Sequence, residues 1–131
     1  MEMYNYNKII KKLKLEELKG NEKIQKLKEC ANEYYDKLIR FYNYYLELIE
    51  ELDENDKFSL DIKEIKETNV NNSKEYLDLI EKIINKANEI ASETIELNSK
   101  IHKRDKNKKK KSHLSKFLFF TLLFSNKKKR M

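Results

Sequence analysis

Residues 22–52 read EKIQKLKECANEYYDKLIRFYNYYLELIEEL, and the apolar spacing in this stretch decides the fold. Ile24, Leu27, Ala31, Tyr34, Leu38, Phe41, Tyr45, Leu48 and Leu52 follow one another in alternating steps of three and four. That alternation draws one apolar stripe along an α-helix, the a and d positions of a heptad. Carried backward, the register falls on Gly20 and Glu17 and recovers at Leu13, Ile10, Tyr6 and Met3. The pattern predicts a first helix over 7–19, a break at Gly20, and a long helix over 22–52. Asn21 is the expected N-cap, since its side chain can accept from a free amide of the first turn.

Downstream, Tyr76, Ile80, Ile83, Ala87, Ile90, Thr94, Leu97 and Ile101 repeat the same alternation. Asn72 followed by Glu75 reads as a capping box, so the second long helix is expected to start near Ser73. Glu and Lys placed four apart, as in Glu33–Lys37 and Glu96–Lys100, support helix on both segments. Between them, Asp53 to Asp56 terminate the first long helix, and Ile62 and Ile65 among charged residues suggest a short helix over 59–67. The fold class expected is all-α: a long antiparallel helical hairpin or coiled coil, with a short connecting helix. Matched helix lengths of about 45 Å favour the hairpin. A parallel dimer of extended rods is the competing arrangement.

The composition agrees. Charged residues make up 40% of the 131, with one Gly and no Pro. Long helices that each bury one stripe need less apolar material than a layered core, and a strand-rich fold needs more turn residues. Residues 1–102 carry 17 basic and 22 acidic side chains, whereas residues 103–131 carry 12 basic and 1 acidic. The chain therefore divides into a mildly acidic helical body, 1–102, and a basic tail, 103–131, expected to be flexible. The single Cys30 and the absence of a signal-like start point to an intracellular, cytoplasmic or nuclear setting rather than secretion.

The stripes are wider than a two-stranded coiled coil needs. Tyr35, Tyr42 and Ile49 occupy e, Tyr44 occupies g, and Ile39 and Leu46 occupy b in the first helix. Leu77, Ile84 and Ala91 occupy e, and Leu79 occupies g, in the second. Such width suits a helix with two neighbours. The expected partner interface is Tyr34, Tyr35, Leu38, Phe41, Tyr42, Tyr44, Tyr45, Leu46, Ile49, Leu79 and Ile84. A wide internal core with surplus tyrosines half exposed is the structural alternative. Acidic neighbours argue against a nucleic-acid stacking platform, and no sequence-specific nucleic-acid partner is expected.

The tail places Lys108, Lys109, Lys110 and Lys111 before Phe117, Phe119, Phe120 and Phe124. Its apolar run is too short to cross a bilayer; aromatics between lysines suit a shallow anchor on an anionic membrane surface. A nuclear-import signal, a non-specific nucleic-acid patch, and low-complexity disorder or a gene-model artefact of AT-rich codons are the other readings.

No catalytic constellation is present. The two histidines, His102 and His113, lie far from Cys30, no zinc-like spacing occurs, and one Gly cannot build a phosphate-binding loop. The expectation is no enzyme activity, no cofactor and no metal. The leading reading is a coiled-coil interaction or scaffold subunit of a larger complex, joined to helices of other chains, with hetero-oligomer favoured over homodimer. A peripheral membrane tether held by the tail and a prefoldin-like chaperone subunit are the alternatives, the latter requiring a strand near Phe58 to Ile62.

Overall fold

The structure is a computed structural model and describes residues 3–108. Four α-helices follow in order: α1 Tyr6–Leu13, α2 Asn21–Leu52, α3 Ser59–Glu67 and α4 Ser73–Lys108. No strand occurs among the described residues. The segment from Phe58 to Ile62, where a prefoldin-like hairpin would need one, opens α3 instead.

Each boundary has a local cause. Asn5 accepts the Lys8 N–H at 3.1 Å and starts α1. That helix ends six residues short of the expected Lys19, because Lys14 turns left-handed at φ 51°, ψ 50°. A 3₁₀ turn over Leu15–Glu17 follows and carries Leu15 into the core. Burial of Leu15 wins over the helical register that the sequence offers. Gly20, at φ 55° and ψ −124°, caps α2 in place of Asn21, which is already helical. At the other end Asp53 turns left-handed, and the Glu54 N–H returns to the Ile49 carbonyl at 2.8 Å. The capping box at α4 forms: Asn72 Oδ1 accepts the Glu75 N–H at 2.9 Å, and the Glu75 carboxylate accepts the Asn71 N–H at 3.0 Å.

The two long helices pack along each other, and in the same direction. Leu27 and Ala31 share a cluster with Ile80 and Ile84. Farther on, the Tyr44 hydroxyl meets Asn98 at 3.2 Å, and Lys100 meets Glu54 at 3.3 Å. Partner numbers rise together, whereas a hairpin would make one fall as the other rises. The antiparallel hairpin is therefore corrected to a parallel pair, built within one chain.

Chain length explains why the pair is parallel. The 20 residues from Asp53 to Asn72 include the nine of α3. Nine helical residues span about 14 Å and the other eleven reach about 36 Å when extended. That total equals the roughly 48 Å of a 32-residue helix, so the connection returns to the start of α2 before α4 begins. Its path is marked by Lys57 on Glu93 at 3.0 Å and Asp61 on Lys86 at 2.9 Å. α1 also runs against the long pair, from Tyr4 beside Asn88 to Leu15 beside Leu27 and Ile80. The chain thus repeats one unit, a short helix followed by a long one in the opposite sense.

Leu38, Phe41, Tyr45 and Leu48 of α2 and Ile83, Ala87, Ile90, Leu97 and Ile101 of α4 form the main core. Each fully buried side chain contributes about 1.5–3 kcal/mol by leaving water. Thr94 is the buried polar residue, and its hydroxyl donates to the Ile90 carbonyl at 2.7 Å. That bond satisfies it without a partner on another helix. Residues 109–131, which include Lys109 to Lys111, Phe117, Phe119, Phe120 and Phe124, lie outside the described residues. α4 continues past the expected body boundary at residue 102 as far as Lys108, the last described residue.

Candidate partner-binding face

Most of the aromatic surplus on α2 is used inside the chain. Leu38, Phe41, Tyr44, Tyr45, Ile49 and Ile84 are buried, and Tyr34, Tyr35, Tyr42, Leu46 and Leu79 are half-buried. None of the eleven expected interface residues stands fully exposed. Two helices alone would not cover them. Four antiparallel and parallel segments do, because α1 closes one side of the long pair and residues 53–67 close the other.

The tyrosine hydroxyls find partners within the same fold. Tyr42 donates to the Asp56 carboxylate, whose other oxygen accepts the Phe58 N–H at 2.8 Å. Tyr45 donates to the Asn55 carbonyl at 3.4 Å and accepts the Lys57 N–H at 3.1 Å. Both residues tie the return segment to α2. On the opposite side Tyr4 lies edge-on to Tyr34 at 5.2 Å and stacked on Phe41 at 5.8 Å. Lys37 sits 4.6 Å from the Tyr34 ring and 5.4 Å from the Tyr4 ring, close enough for cation–π attraction.

Burial pushes the Tyr4 and Tyr34 hydroxyls up to about 12, each raised further by Glu33 and, for Tyr4, first by Tyr34. Their neutral forms are the ones the fold favours. Stability from this cluster is present below the ordinary tyrosine value near 10 and is lost as pH rises from there to about 12. Thermal midpoints are therefore expected to stay flat from pH 7 to 9 and to fall above pH 10. A midpoint that rises between pH 10 and 11 would contradict this sign.

One flank of α2 carries a run of half-buried apolar residues, as α1 and the start of α4 do with Tyr6, Ile9, Ile10, Leu13, Tyr76 and Leu77. Tyr35, Ile39, Tyr42 and Leu46 recur in steps of four, three and four, so they share a face within roughly 60° of arc. All four are half-buried and pack inward on the main core while their outer sides meet water. Asn32, Asp36, Asn43, Glu47 and Glu50 border the stripe on its solvent side and are exposed. The flank is thus an apolar strip with an acidic rim. The sequence reading includes Tyr35, Tyr42 and Leu46 in the expected interface and omits Ile39, although Ile39 and Leu46 both occupy b; the structure sets Ile39 beside them on the same flank. Leu60 and Ile95, to which the sequence assigns no role, are 74% and 49% exposed. Each is a lone apolar residue, an ordinary surface feature.

Lys86 and Cys30, two groups with shifted titration, lie outside this flank. A shallow cleft between α3 and α4 is lined by Asp61, Glu64, Ile65, Lys82, Lys86 and Glu89. Burial would push Lys86 down, yet its bonds to Glu89 at 2.6 Å and Asp61 at 2.9 Å outweigh that and raise it. A lysine held this firmly in its charged form is no base. Burial pushes the Cys30 thiol up to about 11, opposite to what a nucleophilic thiol needs. Among the described residues no group of three or more His, Cys, Asp or Glu is placed to hold a metal ion, and no helix is long and apolar enough to cross a membrane. No protein-family model, curated protein or solved structure matches the chain.

Proposed function

We propose that the chain is a non-enzymatic interaction subunit that receives an amphipathic helix of another protein along the α2 flank formed by Tyr35, Ile39, Tyr42 and Leu46. One observation carries this reading: four half-buried apolar residues stand at helical spacing on one flank of α2, beside an exposed acidic rim. A facing helix with apolar residues at i, i+3, i+4 and i+7 matches that geometry. Tyr35 suits such contacts, since it offers a wide ring and a polar tip, and Tyr42 adds the side of its ring while Asp56 holds its hydroxyl.

The acidic rim selects the partner. Asp36, Glu47 and Glu50 favour a helix flanked by Lys or Arg. A second copy docking through the same flank would set acidic rim against acidic rim, which supports a different chain as partner.

The double variant I39E/L46E tests this reading. Both side chains are half-buried, so their replacement is expected to cost about 1–2 kcal/mol, leaving the fold intact. Tagged wild-type protein purified from its own cells is expected to elute with a second chain in near-stoichiometric amount. The variant is expected to elute alone with its helical circular-dichroism spectrum unchanged. A variant that keeps its companion, or wild-type protein with no companion, would remove the proposal.

A further inference from the structure

Residues 3–13 form an arm that lies on the long pair. No residue of α1 itself is buried. Leu15 in the second core cluster and Tyr4 anchor its two ends, and Tyr6, Ile9, Ile10 and Leu13 pack half-buried against that cluster between them. At Tyr4 the main chain is clamped: its N–H donates to Asn88 Oδ1 at 2.7 Å, and Asn88 Nδ2 donates to its carbonyl at 2.8 Å. Its ring fills a groove lined by Tyr34, Lys37 and Phe41. This groove recognises an extended backbone with one aromatic side chain, and it does not require that the arm belong to the same molecule.

The connection to α2 makes exchange accessible. It reverses the chain through two left-handed positions, Lys14 at φ 51° and Gly20 at φ 55°, ψ −124°. For Lys that conformation is disfavoured, and for Gly20 it is one that other residues rarely adopt. Apart from Gly20, residues 14–20 carry good helix formers, and the apolar register on either side of the break is the same. A single helix running from α1 into α2 relieves both left-handed positions.

We propose that this arm exchanges between two copies of the chain. Residues 14–20 straighten, α1 and α2 become one continuous helix, and the Tyr4 of each copy docks in the Tyr34, Lys37, Phe41 and Asn88 groove of the other. The exchange is a closed two-fold arrangement, so the bonds and packing that the arm gives up within its own chain form again between chains. Residues 21–23 of the two copies then cross near the two-fold axis, and Leu15 of each copy meets Leu27 of the other, as it meets its own in the closed form. The arm surface is distinct from the α2 flank, and this inference stands without the partner proposed above.

The test is the mass of the purified full chain, measured by light scattering on a sizing column. A Cβ at Gly20 would meet nothing within 4 Å, so Gly20→Ala acts on backbone conformation alone. It is expected to weaken the closed turn about tenfold per chain, hence the dimer association constant rises about a hundredfold. Adding Tyr4→Ala to that variant removes the docked ring and is expected to return it to monomer. A helical Gly20→Ala chain that stays monomeric at several hundred micromolar overturns the proposal, as does a dimer indifferent to Tyr4→Ala. A second variant lacking residues 14–20 joins α1 directly to α2 with no loop in which the chain can turn back, and the loss of seven residues keeps the helical phase. It is expected to be dimeric at all working concentrations, and a helical monomer would overturn the proposal equally.

Discussion

Phe41→Ala is expected to lower the unfolding free energy by about 3–5 kcal/mol, the loss typical of a large aromatic removed from a close-packed core. Phe41 is 0% exposed, so the vacated volume has no direct route to solvent. It also supports two elements at once. Its ring stacks on Tyr4 at 5.8 Å, with 5° between ring planes, and it belongs to the core that joins α2 to α4. Loss of the ring therefore opens a cavity and loosens the arm that α1 belongs to. For a domain with about 5–15 kcal/mol in all, this is a fifth of the stability or more. Urea unfolding followed by circular dichroism gives the number. Leu60→Ala is the comparison: at 74% exposure it is expected to change stability by less than about 0.5 kcal/mol. Equal effects from the two substitutions would mean that Phe41 is not where the core lies.

The second large effect is a distance. Spin labels at positions 28 and 81 are expected to sit about 15–25 Å apart, one helix diameter plus the label arms. Labels at 50 and 81 are expected about 35–45 Å apart, because 22 residues of α2 add roughly 33 Å along the axis. All three positions are exposed, and Cys30→Ala removes the native thiol. An antiparallel hairpin reverses the order, with 50 nearer to 81 than 28. Dipolar spectroscopy separates the two outcomes by more than its error.

The elements are more legible in the sequence than their arrangement. α3 falls on Ser59–Glu67 as its pattern of Ile62 and Ile65 among charges suggests, and the capping box at Asn72 forms. These signals are local, carried by residues three or four apart. The direction of α4 is set by something non-local, the reach of the 20-residue return, and apolar periodicity is blind to it. The left-handed Lys14 is equally hidden, since nothing in Lys marks a helix end; the burial of Leu15 decides it. The candidate face shows the same division. Tyr35, Tyr42 and Leu46 stand off the main seam by spacing alone. That Tyr44, Tyr45 and Ile49 close inward instead depends on which segments lie beside α2, with Tyr44 reaching Asn98 and Tyr45 the Asn55–Lys57 backbone.

A photoreactive phenylalanine placed at position 39 probes the proposed docking strip in the cell. Position 33, on the exposed side of the same helix, serves as its control. Irradiation is expected to join the position-39 chain to one protein of defined mass and to leave the position-33 chain unjoined. Adducts of the same pattern from both positions, or none from position 39, would show that the flank of Tyr35, Ile39, Tyr42 and Leu46 meets no partner.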